Sequence, residues 1–216
     1  MNQNFFVINS FYFYIFFSFI LVCDTGDIQF ELYSGYLADI KPFKVIFDLQ
    51  PRKCLKLCSE SAGCKSINID YKKGSCELLA ENTKTSGRER SLRENSSNNY
   101  YEKFCLPGAK HSCSKKDWAF ERIRGHELVG NRIDFKQVAS EATTREQCEA
   151  ACLNHTAFLC RSAEFDHQLK ECRLNPYSRF NINDKKVYLH SSRSTIDYLE
   201  NNCFDGLYSS ILLITK

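Results

Sequence analysis

The chain has 216 residues, a formal net charge of +3 and 25% charged side chains, with 9 glycines, 4 prolines and 12 cysteines. That balance excludes a disordered acidic or basic tail and a strongly cationic nucleic-acid binder. The glycine and proline counts exclude collagen-like or low-complexity sequence.

In chain order, the first 22 residues carry no charged side chain, and Phe11–Val22 is an apolar run broken only by Ser18. Its length fits the apolar region of a signal peptide, roughly 7–15 residues, and falls short of the roughly 20 that a spanning helix needs. Residues 1–22 therefore read as a signal peptide, and no later apolar segment is long enough to span a bilayer. An uncleaved anchor is the alternative, disfavoured because no lysine or arginine precedes the run. In an oxidising compartment, paired thiols become disulfides.

The cysteines fall into two sets, Cys23, Cys54, Cys58, Cys64, Cys76, Cys105 and Cys113, Cys148, Cys152, Cys160, Cys172, Cys203. The gaps are x30, x3, x5, x11 and x28 in the first set, and x34, x3, x7, x11 and x30 in the second. This is an internal repeat of about ninety residues. Residues between the cysteines follow it. Phe30, Glu31 and Gly35 stand after Cys23 as Phe120, Glu121 and Gly125 stand after Cys113. Ile67 and Ile69 answer to Ala163 and Phe165, and Leu78 to Leu174. Cleavage just after Cys23 would remove it and orphan Cys105; even cysteine parity and the repeat favour retention of Cys23 instead, which requires signal cleavage upstream of it, near Ser18.

Cys54 and Cys58, like Cys148 and Cys152, are four apart, which places each pair on one face of a helix. Thr144 with Gln147 forms a capping-box start in the second copy, and Pro51 suits the first turn in the first. Ser66–Tyr71 and Ser162–Asp166 alternate with period two, the mark of a strand with one buried face, on which His167 is placed facing the core. Further strands are expected around Cys76–Leu79, Tyr100–Phe104, Cys172–Leu174 and Lys186–His190. Each unit is thus one helix on an antiparallel sheet, an α+β fold.

The Cys-x3-Cys helix pair, the short-gap cysteine after it, the strand cysteine eleven residues on and the bracketing outer pair resemble the PAN/apple domain. The resemblance covers nearly all of the chain after residue 22, twice: domain 1 at 23–105, a linker at 106–112, domain 2 at 113–203 and a short tail at 204–216. Six cysteines allow fifteen pairings. The resemblance implies Cys54 to Cys76, Cys58 to Cys64, Cys148 to Cys172 and Cys152 to Cys160, with Cys23 to Cys105 and Cys113 to Cys203 tying the ends of each copy.

It further implies a non-enzymatic extracellular binding or adhesion pair that engages proteins or glycans, needs no cofactor, and serves as a matrix or cuticle component. Two alternatives stand beside it: the regulatory amino-terminal region of a longer protease precursor, and a secreted lectin or inhibitor. Thirteen residues follow Cys203, so the chain reads either as a short secreted form or as the front of a longer protein.

Zinc is the competing use of such cysteines, but zinc knuckles want pairs two to four residues apart, and the x11 gap with export favours disulfides. The five histidines are scattered, and no nucleophile elbow or phosphate-cradling glycine loop occurs. Residues 23–105 hold 13 basic and 12 acidic side chains, and residues 113–203 hold 14 and 13, so neither copy has a steering field. Local basic candidates for sulphated glycans are 84–93 and the set Arg122, Arg124, Arg132 and Lys136. Asn95 and Asn154 head glycosylation sequons.

A domain of about ninety residues buries a small fraction of its surface, and each disulfide adds roughly 2–4 kcal/mol by restricting the unfolded chain. Cys172→Ser is therefore expected to abolish secretion while Ser140→Ala leaves it unchanged, as read by the amount of protein in the culture medium.

Overall fold

The computed structural model describes residues 27–85, 92–129, 136–180, 188–191 and 195–204. The signal segment and Cys23 lie outside them. The first copy contains β1 (Ile28–Ala38), β2 (Lys44–Phe47), α1 (Pro51–Glu60), β3 (Ser66–Asp70), β4 (Ser75–Leu79) and β5 (Leu92–Cys105). A single helical turn, α2 (Ala109–Ser112), leads to the second copy. That copy holds β6 (Phe120–Arg124), β7 (His126–Val129), β8 (Gln137–Val138), α3 (Arg145–Leu153), β9 (Ser162–Asp166), β10 (Glu171–Asn175), β11 (Tyr188–Ser191) and β12 (Ile196–Asn201).

Helix starts follow the local sequence. Thr144 Oγ1 accepts the Gln147 backbone N–H at 3.2 Å, and Gln147 Oε1 accepts that of Thr144 at 3.1 Å, a reciprocal capping box. α1 starts with Pro51 in its first turn, but Gln50 gives no side-chain cap and no acid sits in that turn. Gly35 and Gly125, equivalent in the repeat, both have positive φ, 76° and 66°. Each donates its N–H to a side-chain oxygen of the equivalent long strand, Asn99 Oδ1 at 3.1 Å and Asp197 Oδ1 at 3.3 Å. A residue with a Cβ is strained at such a φ.

Within each copy the strands are antiparallel, and the two sheets are joined. The order is β2-β4-β3-β5-β1-β6-β12-β9-β10-β8, ten strands in one sheet, with β7 and β11 pairing separately. The join is parallel, with Glu31 beside Phe120 and Leu32 beside Glu121. Since β1 and β6 are equivalent strands lying parallel, the copies are related by a half-turn about the strand direction and present opposite faces. Neighbours in a sheet share a face, so Glu31 cannot stand beside its own equivalent Glu121, and the pairing slips by one residue. Phe30 and Leu32 accordingly pack with Cys54, Leu55 and Cys58 of α1, while Phe120 packs with Cys148 and Cys152 of α3 on the other face.

Two expectations are corrected by the structure. β3 and β9 are buried on both faces, save for a half-buried Asp70, rather than on one. Their second faces are covered by the segments after β4 and β10, with Ser66 Oγ donating to the Glu81 carbonyl and Ser162 Oγ to that of Tyr177. The alternating polar residues are therefore satisfied core residues. His167 lies in the turn after β9, half-exposed, because the strand ends at Asp166.

The segment between the copies is fastened from the second one. Leu106 enters the α3 core, and Asn154 Nδ2 donates to the Pro107 carbonyl at 3.2 Å and the Ala150 carbonyl at 2.9 Å. Gly108 has φ +88°, and a Cβ there would lie 2.6 Å from Asn154 Oδ1. Gly108→Ala is expected to lower stability by about 1–3 kcal/mol through backbone strain and that collision, measured as a fall in Tm with the disulfides intact.

Candidate functional site

The disulfides fix the frame on which any site is built. Cys54–Cys76 and Cys58–Cys64 hold α1, Cys148–Cys172 and Cys152–Cys160 hold α3, and Cys113–Cys203 closes the second copy. Cys105 is also disulfide-bonded. Among the described residues there is no free thiol and no group of three or more His, Cys, Asp or Glu side chains placed to hold a metal. Asn95 is exposed on β5, its Oδ1 accepting the Ser97 N–H at 3.1 Å. Asn154 is exposed but commits its amide to the two carbonyls named above.

The structure takes apart the basic candidates singled out in the sequence. Arg122 is buried, donating to Asp197 and, at 2.8 Å, to the Tyr33 hydroxyl. Lys136 donates to the buried Glu164 carboxylate at 2.8 Å, and Lys84 pairs with Glu146. Residues 86–91 and Arg132 lie outside the described residues. Evenly mixed charge along the sequence had hidden these pairs, because their partners are distant in the chain.

Arg122 and Arg145 instead form a buried cluster where the copies meet. Glu31 of β1, turned onto the α3 face by the one-residue slip, pairs with Arg145 of α3. Arg145 also reaches Glu146 at 2.9 Å. Tyr33 donates to Glu102 Oε2 at 3.3 Å, and Thr83 Oγ1 to the same oxygen at 2.7 Å. His167 donates to Asp197 at 2.5 Å.

The carboxyls respond in opposite directions. Burial raises Asp197, but the His167 hydrogen bond and the Arg122 guanidinium outweigh it and hold the carboxyl at about 2. Glu31 is likewise raised by burial, then brought below the ordinary range by Arg145 and Arg122. Glu149 is fully buried beside Glu31. Burial, the nearby Glu31 charge and a hydrogen bond to the Glu31 carboxylate push its carboxyl well above the usual range, favouring the protonated form. Its nearest cation, Arg145 Nη1 at 3.9 Å, is already committed to Glu31.

A second feature of the junction is open to solvent. On the opposite face, α1, the start of β1 and the 113–117 segment enclose a groove of about 560 Å³. Its rim carries Arg52, Lys53, Lys56 and Lys116 against one carboxylate, Asp117, which pairs with Arg52 at 3.1 Å. Gln29 lies in its wall, 8% exposed.

The PAN domain family matches this chain twice, at residues 23–105 and 113–203. The chain belongs to the PAN domain family. A solution structure of the two amino-terminal apple domains of Toxoplasma gondii microneme protein 4 is similar to it at 8% identity, covering 81% of this chain and 89% of that one with a TM-score of 0.29. No curated protein matches it. PAN domains are generally protein- or carbohydrate-binding modules and typically non-catalytic. The two PAN repeats here meet through a charged core and an open groove. Sequence reasoning missed both, and the one available signal was the repeat itself, which sets cationic Arg52 of α1 opposite acidic Glu146 of α3.

The Glu149 geometry predicts a pH effect of definite sign. A carboxyl whose folded pKa is raised favours the folded state below the unfolded pKa, and that contribution is lost as pH rises toward the folded value. Glu149→Gln keeps the neutral shape, so it is expected to stabilise the protein increasingly from about pH 4.3 upward, by up to ~1.4 kcal/mol per pH unit. Denaturant unfolding at pH 5 and pH 8 checks this; a pH-independent difference would count against a protonated Glu149.

Proposed function

We propose that this chain is a secreted pair of PAN modules that acts as one extracellular binding body, adhering to glycans or proteins of a matrix or cell surface and performing no chemistry of its own. The observation that carries the reading is the junction of the two repeats. A continuous sheet and a buried ion cluster hold both modules in one orientation, and an open groove lies where they meet. A groove of this size is within the range that accommodates a small ligand, roughly 300–1,000 Å³. The disulfides of both helices suit an oxidising compartment, and Asn95, exposed and with no backbone carbonyl claiming its amide among the described residues, is the sequon proposed to carry a glycan. At Asn154 a glycan would displace one of two hydrogen bonds that hold the inter-copy segment.

Expression of the full chain through a eukaryotic secretory route tests this. Non-reducing peptide mapping of the medium is expected to show a processed terminus ahead of Cys23, Cys105 bonded to Cys23, and a glycan on Asn95 with Asn154 bare. The same material is expected to bind saturably to a glycan array or a panel of matrix proteins. Intracellular retention with free thiols, or no binding to either panel, would overturn the reading.

A further inference from the structure

We infer that the open edge of β2 is a self-association surface on which a second molecule of this chain pairs antiparallel, Val45 against Val45, to form a two-fold dimer. β2 ends the ten-stranded sheet and has β4 as its one strand neighbour among the described residues. Asp48, opposite Gly74 in the same register, donates its N–H to the Gly74 carbonyl at 2.9 Å. Backbone groups of an antiparallel strand alternate in direction. Ile46 therefore spends its N–H and C=O on β4, while Val45 and Phe47 turn theirs to the open edge.

The side chains on this edge are apolar and in the open. Ile46 sits beside Cys76 on the α1 face. Val45 and Phe47 stand on the other face, 43% and 64% exposed, and Phe43, 52% exposed, continues the row. An unpaired edge that carries such a row is a template for another strand.

The sequence of the row selects the occupant. Phe43-Lys44-Val45-Ile46-Phe47 reads Phe-x-Val-x-Phe in either direction. Antiparallel pairing centred on Val45 sets Phe43 of each molecule beside Phe47 of the other, on one face, at the distance where cross-strand side chains touch. A slip of two residues leaves a phenylalanine of each molecule beyond the row, so the register is defined. Charge agrees with it. Exposed Lys41 and Asp48 flank opposite ends of the row, and the two-fold brings Lys41 next to Asp48 of the other molecule. Lys44 falls diagonally between Lys44 and Asp48 of the other molecule, so its repulsion is offset.

The second repeat shows that the fold itself does not require these aromatic rings. Gln137 of β8 lies opposite Leu174 as Lys44 lies opposite Leu78, its repeat equivalent. Lys136 and Ser140 then stand where Phe43 and Phe47 do, and Lys136 is turned to Glu164. β8 is two residues long, too short an edge to extend the sheet in the same way. With one long apolar edge per molecule, pairing closes at a dimer and does not propagate into a filament.

Sedimentation equilibrium of the secreted full chain tests the inference and is expected to show a monomer–dimer equilibrium. Phe43→Lys/Phe47→Lys is expected to weaken the dimer about tenfold or more. Val45→Pro, which removes an N–H on the open side where an edge strand tolerates proline, is expected to weaken it as much. Both variants are expected to keep Tm within a few degrees of the parent, and Val138→Lys at the edge of the second repeat is expected to leave the dimer unchanged. Cross-linking reads the register. Two Cα atoms in a hydrogen-bonded antiparallel pair are about 5.5 Å apart, within disulfide range. Val45→Cys is therefore expected to give a covalent dimer on a non-reducing gel. Phe43→Cys and Phe47→Cys are expected to cross-link when mixed, and neither alone.

A monomer at every concentration, a dimer indifferent to the β2 variants, or cross-linking of Phe43→Cys alone as readily as Val45→Cys overturns the inference. So does a monomer whose β2 edge captures an unrelated strand peptide. The surface lies apart from the groove at the junction, so a monomeric protein that still binds the glycan or matrix panel refutes the dimer and leaves the binding-module reading intact, whereas a dimer that binds neither panel refutes that reading alone.

Discussion

The pairing of β1 with β6 is the constraint on which the rest of the architecture depends. Two residues of parallel ladder, Glu31 beside Phe120 and Leu32 beside Glu121, join two five-stranded sheets into one. The slip of one residue follows from the half-turn that relates the copies, since strand neighbours must share a face. That slip sends Glu31 away from α1 and toward α3. From there follow its pairing with Arg145 and the burial of a cluster of charges drawn from both repeats.

Burying ions at a junction is a costly way to hold two domains together, because desolvation offsets much of the attraction. What such a cluster does well is fix geometry. Glu31, Arg145, Arg122, Tyr33 and Asp197 are close enough that displacing one copy relative to the other strands a charge without its partner. The result is one preferred orientation, and so a groove on the far face whose walls, from different repeats, keep a fixed separation. The disulfides act at a different level: each ties helix to sheet or closes a copy within itself, and none of the five described crosses between copies. Covalent bonds stabilise the modules; electrostatics and sheet pairing relate them.

Duplication followed by asymmetry explains the division of labour between the two helices. α3 is capped by Thr144 and Gln147 and turns its first-turn charges inward to the junction. α1 has neither cap nor acid in its first turn and presents its cations to solvent around the groove. One repeat supplies the anchoring helix and the other the surface.

Much of each module could be read directly from the chain. Cysteine spacing, the period of four in the helices and the period of two in β3 and β9 are local patterns, set by residues a few positions apart, and they located α1, α3 and the strands around Cys76, Tyr100 and Cys172. The paired glycines Gly35 and Gly125 were visible as a repeat, although the positive φ that requires them was not. What the sequence could not reveal was which polar residues would be buried, because Ser66, Glu164 and Arg122 look like solvent-facing residues until a second sheet, a loop or another copy covers them. The orientation of the copies, the buried Glu31–Arg145 pair and the groove depend on contacts between residues many tens of positions apart. Such contacts leave no periodic trace along the chain, so only the tertiary structure decided them.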